Sequence, residues 1–304
     1  MAFYVAAYDV EAIYPWWELG DQRYSAQLYR ESVSYEGERL SECLAGIRAV
    51  AEVHLRAGAP ATFFLVGRLV EQASQELRDL LDHPIFDLQS HSYTHADLVE
   101  IADDPVALHH ELADSRQLIE DTFGRPVIGL TAPGGFTKGF AGQRNLLDGV
   151  WEAGYRYVRS AGLGPFDSVP APITQPFWYT QDGFPDLLEF GLHAWHDNHL
   201  TGQPCVSHWP PVLPWGLPSK MAQTAQEVYQ AYAPGIDHIA EHDLLTYIPC
   251  LHPWSIYRVD RQAKQIELLL SHAQKVVTIK SCTGVYEEIS GNRSLADELG
   301  LSVC

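Results

Sequence analysis

Short apolar runs and longer runs with a helical stride alternate along the chain. The strand-like runs are FYVAAY (3–8), ATFFLVG (61–67), IFDLQ (85–89), VIGLT (127–131), YRYVRS (155–160), LLEFG (187–191), LLTYIPCL (244–251) and VVTIKS (276–281). Between them, 40–58 carries apolar residues at helical spacing and ends on a capping Gly. Residues 104–124 have Pro in the first turn and Gly at the end. Residues 222–242 read the same way, with Pro234 expected to kink or break the helix. Strands that alternate with helices predict a parallel sheet with crossover helices. About eight such strands predict a distorted, TIM-like (β/α) barrel of seven or eight strands, with a doubly wound open sheet as the alternative. The segment 161–221 breaks the rhythm. It is rich in Pro, Trp, His and Gly, and is expected to be a loop-rich insertion over the barrel mouth of a single domain spanning 1–304.

In a parallel barrel, catalytic groups stand at the C-terminal ends of strands. The first strand runs into Asp9-Val10-Glu11, and the third into His91-Ser92-Tyr93-Thr94-His95. The fourth leads into Thr131-Ala132-Pro133-Gly134-Gly135, and the seventh into Leu251-His252-Pro253-Trp254. Asp9 and Glu11 are two residues apart, so in an extended chain both side chains point the same way. His91, His95 and one carboxylate form a two-imidazole, one-acid set of the kind that holds zinc or another divalent ion. A second carboxylate is then available as a base and a lone imidazole as an acid. Taken alone, the two histidines read equally well as a polar loop, Asp9 as a turn former, and His252 as a core histidine bound to backbone.

Composition narrows the partners. The chain has 304 residues, 46% of them hydrophobic and 19% charged, which suits an ordinary globular core. Lys and Arg number 20 against 39 Asp and Glu, a net charge of −19 that repels nucleic acid. No apolar stretch approaches a membrane span. The five cysteines, at 43, 205, 250, 282 and 304, are scattered, which suits a reducing compartment. The N-terminus lacks the basic start of a signal peptide, so a cytoplasmic location is expected.

An H-S-x-x-H after an early strand, a D-x-acid at the end of strand one and a late L-H-P resemble the polysaccharide deacetylase (NodB-like) superfamily, from residue 3 to about 285. The resemblance implies a distorted (β/α) barrel with Asp9 as catalytic base and His252 as general acid. It implies Glu11, His91 and His95 as ligands of a divalent metal, zinc first, with Co2+, Ni2+ or Mn2+ as alternatives. Most members have two adjacent aspartates where this chain has D-V-E. The spaced pair is similar to the branch holding cytoplasmic peptidoglycan-deacetylase-like, allantoinase-like and cyclic imide hydrolase proteins, whose members tend to be homo-oligomers. The family's R-x-P motif reads T-A-P here. This implies that the base has lost a cationic neighbour and that its pKa rises relative to the family pattern. Asp186 and Asp197 are the candidates for orienting His252.

The expected reaction is hydrolysis of a C–N amide bond, in an N-acetylated sugar or glycan first and in a cyclic amide second. A catalytically inactive carbohydrate-binding barrel is the reading from a different class. Thr131, Pro133, Gly134, Gly135, Trp195 and Trp254 are the expected substrate-binding residues, with Pro133-Gly134-Gly135 as a tight turn. Trp16, Trp17, Trp178, Trp209 and Trp215 are further candidates for stacking on a sugar or planar ring. HAWHDNH (193–199) is read as a pocket-lining loop in preference to a second metal site.

Overall fold

The computed structural model describes residues 1–11, 35–163, 173–195 and 222–293. Strands β1 (Phe3–Tyr4), β2 (Ala7–Val10), β3 (Ala61–Leu65), β4 (Phe86–Ser90), β5 (Gly129–Phe140) and β6 (Tyr157–Ala161) come first. Then follow β7 (Phe177–Tyr179), β8 (Phe184–Gly191), β9 (His193–Trp195), β10 (Thr246–Tyr247), β11 (Pro249–Leu251) and β12 (Thr278–Ile279). The helices are α1 (Gly37–Ala57), α2 (Gly67–Leu81), α3 (Pro105–His109), α4 (Ser115–Phe123) and α5 (Arg144–Glu152). They continue with α6 (Ala225–Glu241), α7 (Pro253–Val259), α8 (Lys264–Val276) and α9 (Cys282–Gly291).

The main sheet runs β7-β8-β6-β5-β4-β3-β2-β11-β9, parallel throughout except for the antiparallel β7–β8 pair. One stretch of chain closes it. β8 pairs with β6, and β9, one residue further on, pairs with β11. Leu192 N–H donates to Ala161 O at 2.9 Å, and the next residue, His193, donates to Ile248 O at 2.9 Å on the opposite side. The wall is therefore a ring of seven positions: β2, β3, β4, β5, β6, β8 with β9, and β11. The expected barrel holds.

Several boundaries differ from those expected. The run 3–8 divides into β1 and β2, and 244–251 into β10 and β11. Helix α6 continues through Pro234. Within the expected insertion 161–221, the strand run at 187–191 extends back to Phe184 as β8, and β8 and β9 build part of the wall, with β7 paired at its edge. The helical stretch 104–124 holds a π turn at His110–Asp114 between α3 and α4.

Alternation along β1 and β2 fixes what faces inward. Tyr4, Ala6, Tyr8 and Val10 pack outward with Ile47 and Val50 of α1, whereas Phe3, Val5 and Ala7 join a separate inner cluster with Phe64, Tyr157, Phe190 and Ile248. Both faces of the strand are buried, as in a parallel sheet covered by helices. The same parity carries Asp9 and Glu11 inward above Ala7.

Helix α9 stops the lower end of the barrel. Its Cys282, Val285 and Ile289 belong to the inner cluster. Its first turn is pinned from β3 and β4: Asp87 accepts from Thr283 N–H at 3.0 Å and from Thr283 Oγ1 at 2.8 Å. Thr62 Oγ1 accepts from Cys282 N–H at 2.8 Å.

Gly46 lets α1 approach the segment that follows His252. A Cβ there would stand 2.5 Å from Pro253 O and 2.6 Å from its carbonyl carbon. Helix propensity alone would make Gly46→Ala stabilising by about 1 kcal/mol. The clash is with backbone, so overpacking of about 1–3 kcal/mol should win. Urea unfolding is expected to show a net loss; a gain would mean that α7 moves aside freely.

Candidate active site

Four strand ends deliver the cluster. β2 carries Asp9 and leads into Glu11. His91 follows β4 directly, its N–H donating to Leu65 O at 2.9 Å. His252 follows β11 and caps the N-terminus of α7.

The loop that brings His95 back is held in a left-handed course, with Ser92 at φ 60° and His95 at φ 65°, a conformation uncommon in non-glycine residues. Its own and neighbouring groups fix it. His95 N–H donates to Ser92 Oγ at 3.1 Å, and Ser92 O accepts from Gly67 N–H and Ser115 Oγ, each at 2.9 Å. Buried Glu111, on the π turn, accepts from Tyr93 N–H at 3.0 Å and from Thr94 N–H at 2.9 Å. Single π turns inside helices are frequent at functional sites.

Glu11 is the centre of the cluster. Its Oε2 lies 2.6 Å from His95 Nε2 and 3.7 Å from His91 Nε2, and its Oε1 lies 3.4 Å from His252 Nε2. The donor atoms of Glu11, His91 and His95 all lie within 4.8 Å of one another, as do those of Asp9, Cys250 and His252. Exposure falls from mouth to floor: His252 8%, His95 7%, Glu11 6%, Asp9 3%, His91 2%, Arg159 0%.

Charge is arranged accordingly. Burial pushes the Glu11 carboxyl up, but His95, His91 and His252 outweigh it and hold it well below the usual range. Burial holds the His95 imidazole below its ordinary value, against the pull of Glu11. An anionic carboxylate beside a neutral imidazole is the donor state a divalent cation requires. His91 Nδ1 meets Thr131 O at 3.0 Å, which leaves Nε2 directed at Glu11, the outer support typical of a ligating histidine. Glu11, His91 and His95 thus fit a divalent cation.

Sequence reasoning missed Arg159. It faces inward from β6, and its Nη1 donates to Asp9 Oδ1 at 2.7 Å and to Thr131 Oγ1 at 2.8 Å. Cys250 Sγ, from β11, lies 3.4 Å from Asp9 Oδ2. Asp9 therefore has a cationic neighbour after all, supplied by the strand beside the T-A-P segment. Burial pushes the Asp9 carboxyl up, but Arg159 prevails, with His91 and His252 adding to it. The carboxyl sits below its ordinary value, and the expected loss of a cationic neighbour is overturned. The available signal was the second of the two arginines in the strand-like YRYVRS, the one in phase with inward-facing Tyr157.

Other expected residues fall elsewhere. Thr131 is fully buried and touches His91 and Arg159, away from any open surface. Pro133, Gly134 and Gly135 do not form a separate tight turn. They lie within β5, where the register with β6 shifts between Thr131 and Phe136 and Gly134 takes φ 78°. Trp254 is buried, its ring centroid 5.9 Å from that of His252, so it offers support behind the imidazole and no open face for stacking. Trp178 packs on Tyr286 of the stopper helix and under Arg293.

Trp195 ends β9 beside Cys250 in register. Its side chain lies outside the described residues, as do Trp16, Trp17, Trp209, Trp215, Asp197 and most of HAWHDNH. His193 spends both ring nitrogens on backbone. Nε2–H donates to Thr174 O and Nδ1 accepts from Ile248 N–H, each at 2.8 Å. Asp186 pairs with Arg293 at the surface and does not orient His252.

The fold and cluster define a class: a (β/α) barrel with an acid–imidazole site inside one mouth. The polysaccharide deacetylase family model matches residues 46–158, which include His91, His95 and Thr131 but not Asp9, Glu11 or His252. Among solved structures, one described as a polysaccharide deacetylase from Mycobacterium smegmatis superposes with a TM-score of 0.65 at 15% identity, covering 96% of this chain and 91% of that one. The PuuE allantoinase gives a TM-score of 0.63 at 14% identity, covering 96% and 90%. A protein from Pseudomonas aeruginosa PAO1, also described as a polysaccharide deacetylase, gives 0.62 at 14% identity, covering 96% and 91%. No curated protein sequence matches the chain. The superfamily resemblance read from D-V-E, H-S-Y-T-H and L-H-P holds. Residues 46–158 match the polysaccharide deacetylase family model, and the chain as a whole has the fold of these barrels.

Proposed function

We propose that the protein is a metal-dependent hydrolase of C–N amide bonds that removes the acetyl group from an N-acetylated sugar or glycan. The observation that carries this reading is the convergence of Glu11, His91 and His95 on one point, with Asp9 and His252 flanking it.

A divalent cation, zinc by donor type, would be held by Glu11, His91 and His95, and supplies Lewis acidity when bound. The chain does the rest. Asp9 takes a proton from the attacking water as its oxygen bonds to the carbonyl carbon. His252 gives a proton to the nitrogen as the C–N bond breaks, leaving a carboxylic acid and an amine. Arg159 keeps Asp9 ionised and therefore able to accept. A backbone N–H near Gly134, where β5 departs from its register, is the candidate donor to the carbonyl oxygen. No helix among the described residues is long and apolar enough to cross a membrane, and we retain a cytoplasmic, homo-oligomeric protein as part of the reading.

A second reading, opening of a cyclic amide ring, is favoured by the spaced acid pair Asp9 and Glu11. One experiment separates the two. The protein is treated with a chelator and assayed for acetate release from N-acetylglucosamine oligomers and for ring opening of allantoin and a cyclic imide. Acetate release that is lost on chelation and restored by zinc is the expected result. Ring opening that ignores the chelator would favour the second reading. Glycan binding without metal or turnover would leave a carbohydrate-binding barrel.

A further inference from the structure

Asp9 and Glu11 face the same way on one strand, two residues apart, yet they meet different company. Glu11 sits among three imidazoles. Asp9 meets a guanidinium that has crossed the barrel from β6. Thr131 and Arg159 are register partners on β5 and β6. The Thr131 hydroxyl accepts from Arg159 Nη1 at 2.8 Å and donates to Arg159 O at 2.9 Å, which fixes the base of the reach. Among the described residues, Nε and Nη2 of Arg159 are buried without a hydrogen-bond partner, so the hydrogen bonds to Asp9 and Thr131, both from Nη1, are the ones that hold the guanidinium. Phe64 lies beneath it, with the Arg159 Cζ 5.5 Å from the ring centroid.

We infer that Arg159 is the positioning residue that divides labour between the two acids: it ties Asp9 back as an uncoordinated base and leaves Glu11 to join His91 and His95 around a divalent cation. The inference rests on the cation assignment made above. A buried carboxylate needs a counter-charge. With Arg159 gone, the His91 and His252 imidazoles and a cation beside Glu11 are the counter-charges left within reach of Asp9, and only the cation can take it as a ligand. Asp9 lies close to that cluster: its donor atom is within 4.8 Å of a His252 nitrogen, and His252 Nε2 is 3.4 Å from Glu11 Oε1. Arg159 thereby preserves an open position on the cation for the reacting groups.

The test needs no substrate. Co2+ is titrated into the full chain and into D9N, R159M, R159Q and the double variant D9N/R159M, with affinity read by calorimetry and coordination by the visible spectrum. R159Q covers the case in which R159M does not fold. D9N is expected to bind Co2+ as the wild type does. R159M and R159Q are expected to bind about tenfold tighter or more, the scale on which groups beside a ligand set alter metal affinity. Their spectra should change as another oxygen donor joins, and D9N/R159M should restore the wild-type affinity and spectrum. Wild-type binding by both Arg159 variants would overturn the inference alone, as would D9N weakening Co2+ binding as much as Glu11→Gln. Absence of Co2+ binding in every form, wild type included, would overturn both the inference and the cation assignment beneath it.

Discussion

Asp9→Asn and His252→Ala are each expected to lower turnover about a hundred- to ten-thousand-fold, the usual contribution of a positioned acid or base. Asparagine preserves the shape of Asp9, and its amide oxygen can still accept from Arg159 Nη1. What it loses is the capacity to take a proton. Among the described residues, no other carboxylate stands beside His252 except Glu11, which is engaged with His91 and His95. Among the described residues, no ready substitute for the base is at hand. For His252, alanine removes the imidazole but leaves the backbone that caps α7. Rates are to be compared with circular dichroism and unfolding curves for each variant, so that lost protein is not mistaken for lost chemistry. If either variant keeps most of its activity while folded, the role given to that residue is wrong.

Arg159→Met is expected to cost about 3–5 kcal/mol of stability at neutral pH, the range seen when one partner of a buried ion pair is removed. The cost arises because Asp9 stays buried without its counter-charge. In the wild type the Asp9 carboxyl sits below its ordinary value. The pair's contribution is therefore present above the ordinary aspartate pKa and fades as pH falls through the lower, folded value. In the variant, burial acts without the guanidinium and raises the carboxyl. That protein loses stability as pH climbs from the ordinary aspartate value through its own, higher one. The gap between the two should be widest at neutral pH and should narrow in acid. Urea unfolding across the acid range measures it, and a gap that did not change with pH would mean the loss comes from packing.

How much of this was legible in the sequence follows from distance along the chain. The alternation of Phe3, Val5, Ala7, Asp9 and Glu11 is local, and a period of two sufficed to set both acids facing inward. The H-S-Y-T-H pair lies within five residues, so its turn is local too. Arg159 is 150 residues from Asp9. Whether an inward-facing side chain on β6 reaches across to β2 depends on the register of every strand between them, which no local pattern encodes. Glu111 was hidden for a related reason. Ordinary helical spacing gives no cue that a π turn aims it at the histidine loop. Ring closure depended on one residue, Leu192, dividing β8 from β9, so that a single run of chain serves two neighbours. Composition marked that region as irregular, when part of it is wall.

The stopper helix has a consequence for traffic. With Cys282–Gly291 filling one end and Asp87 gripping its first turn, the described residues shut the barrel below, and traffic to the acid–imidazole cluster belongs to the opposite rim. In the hydrolysis proposed above, amine and acid leave by the rim at which their parent enters.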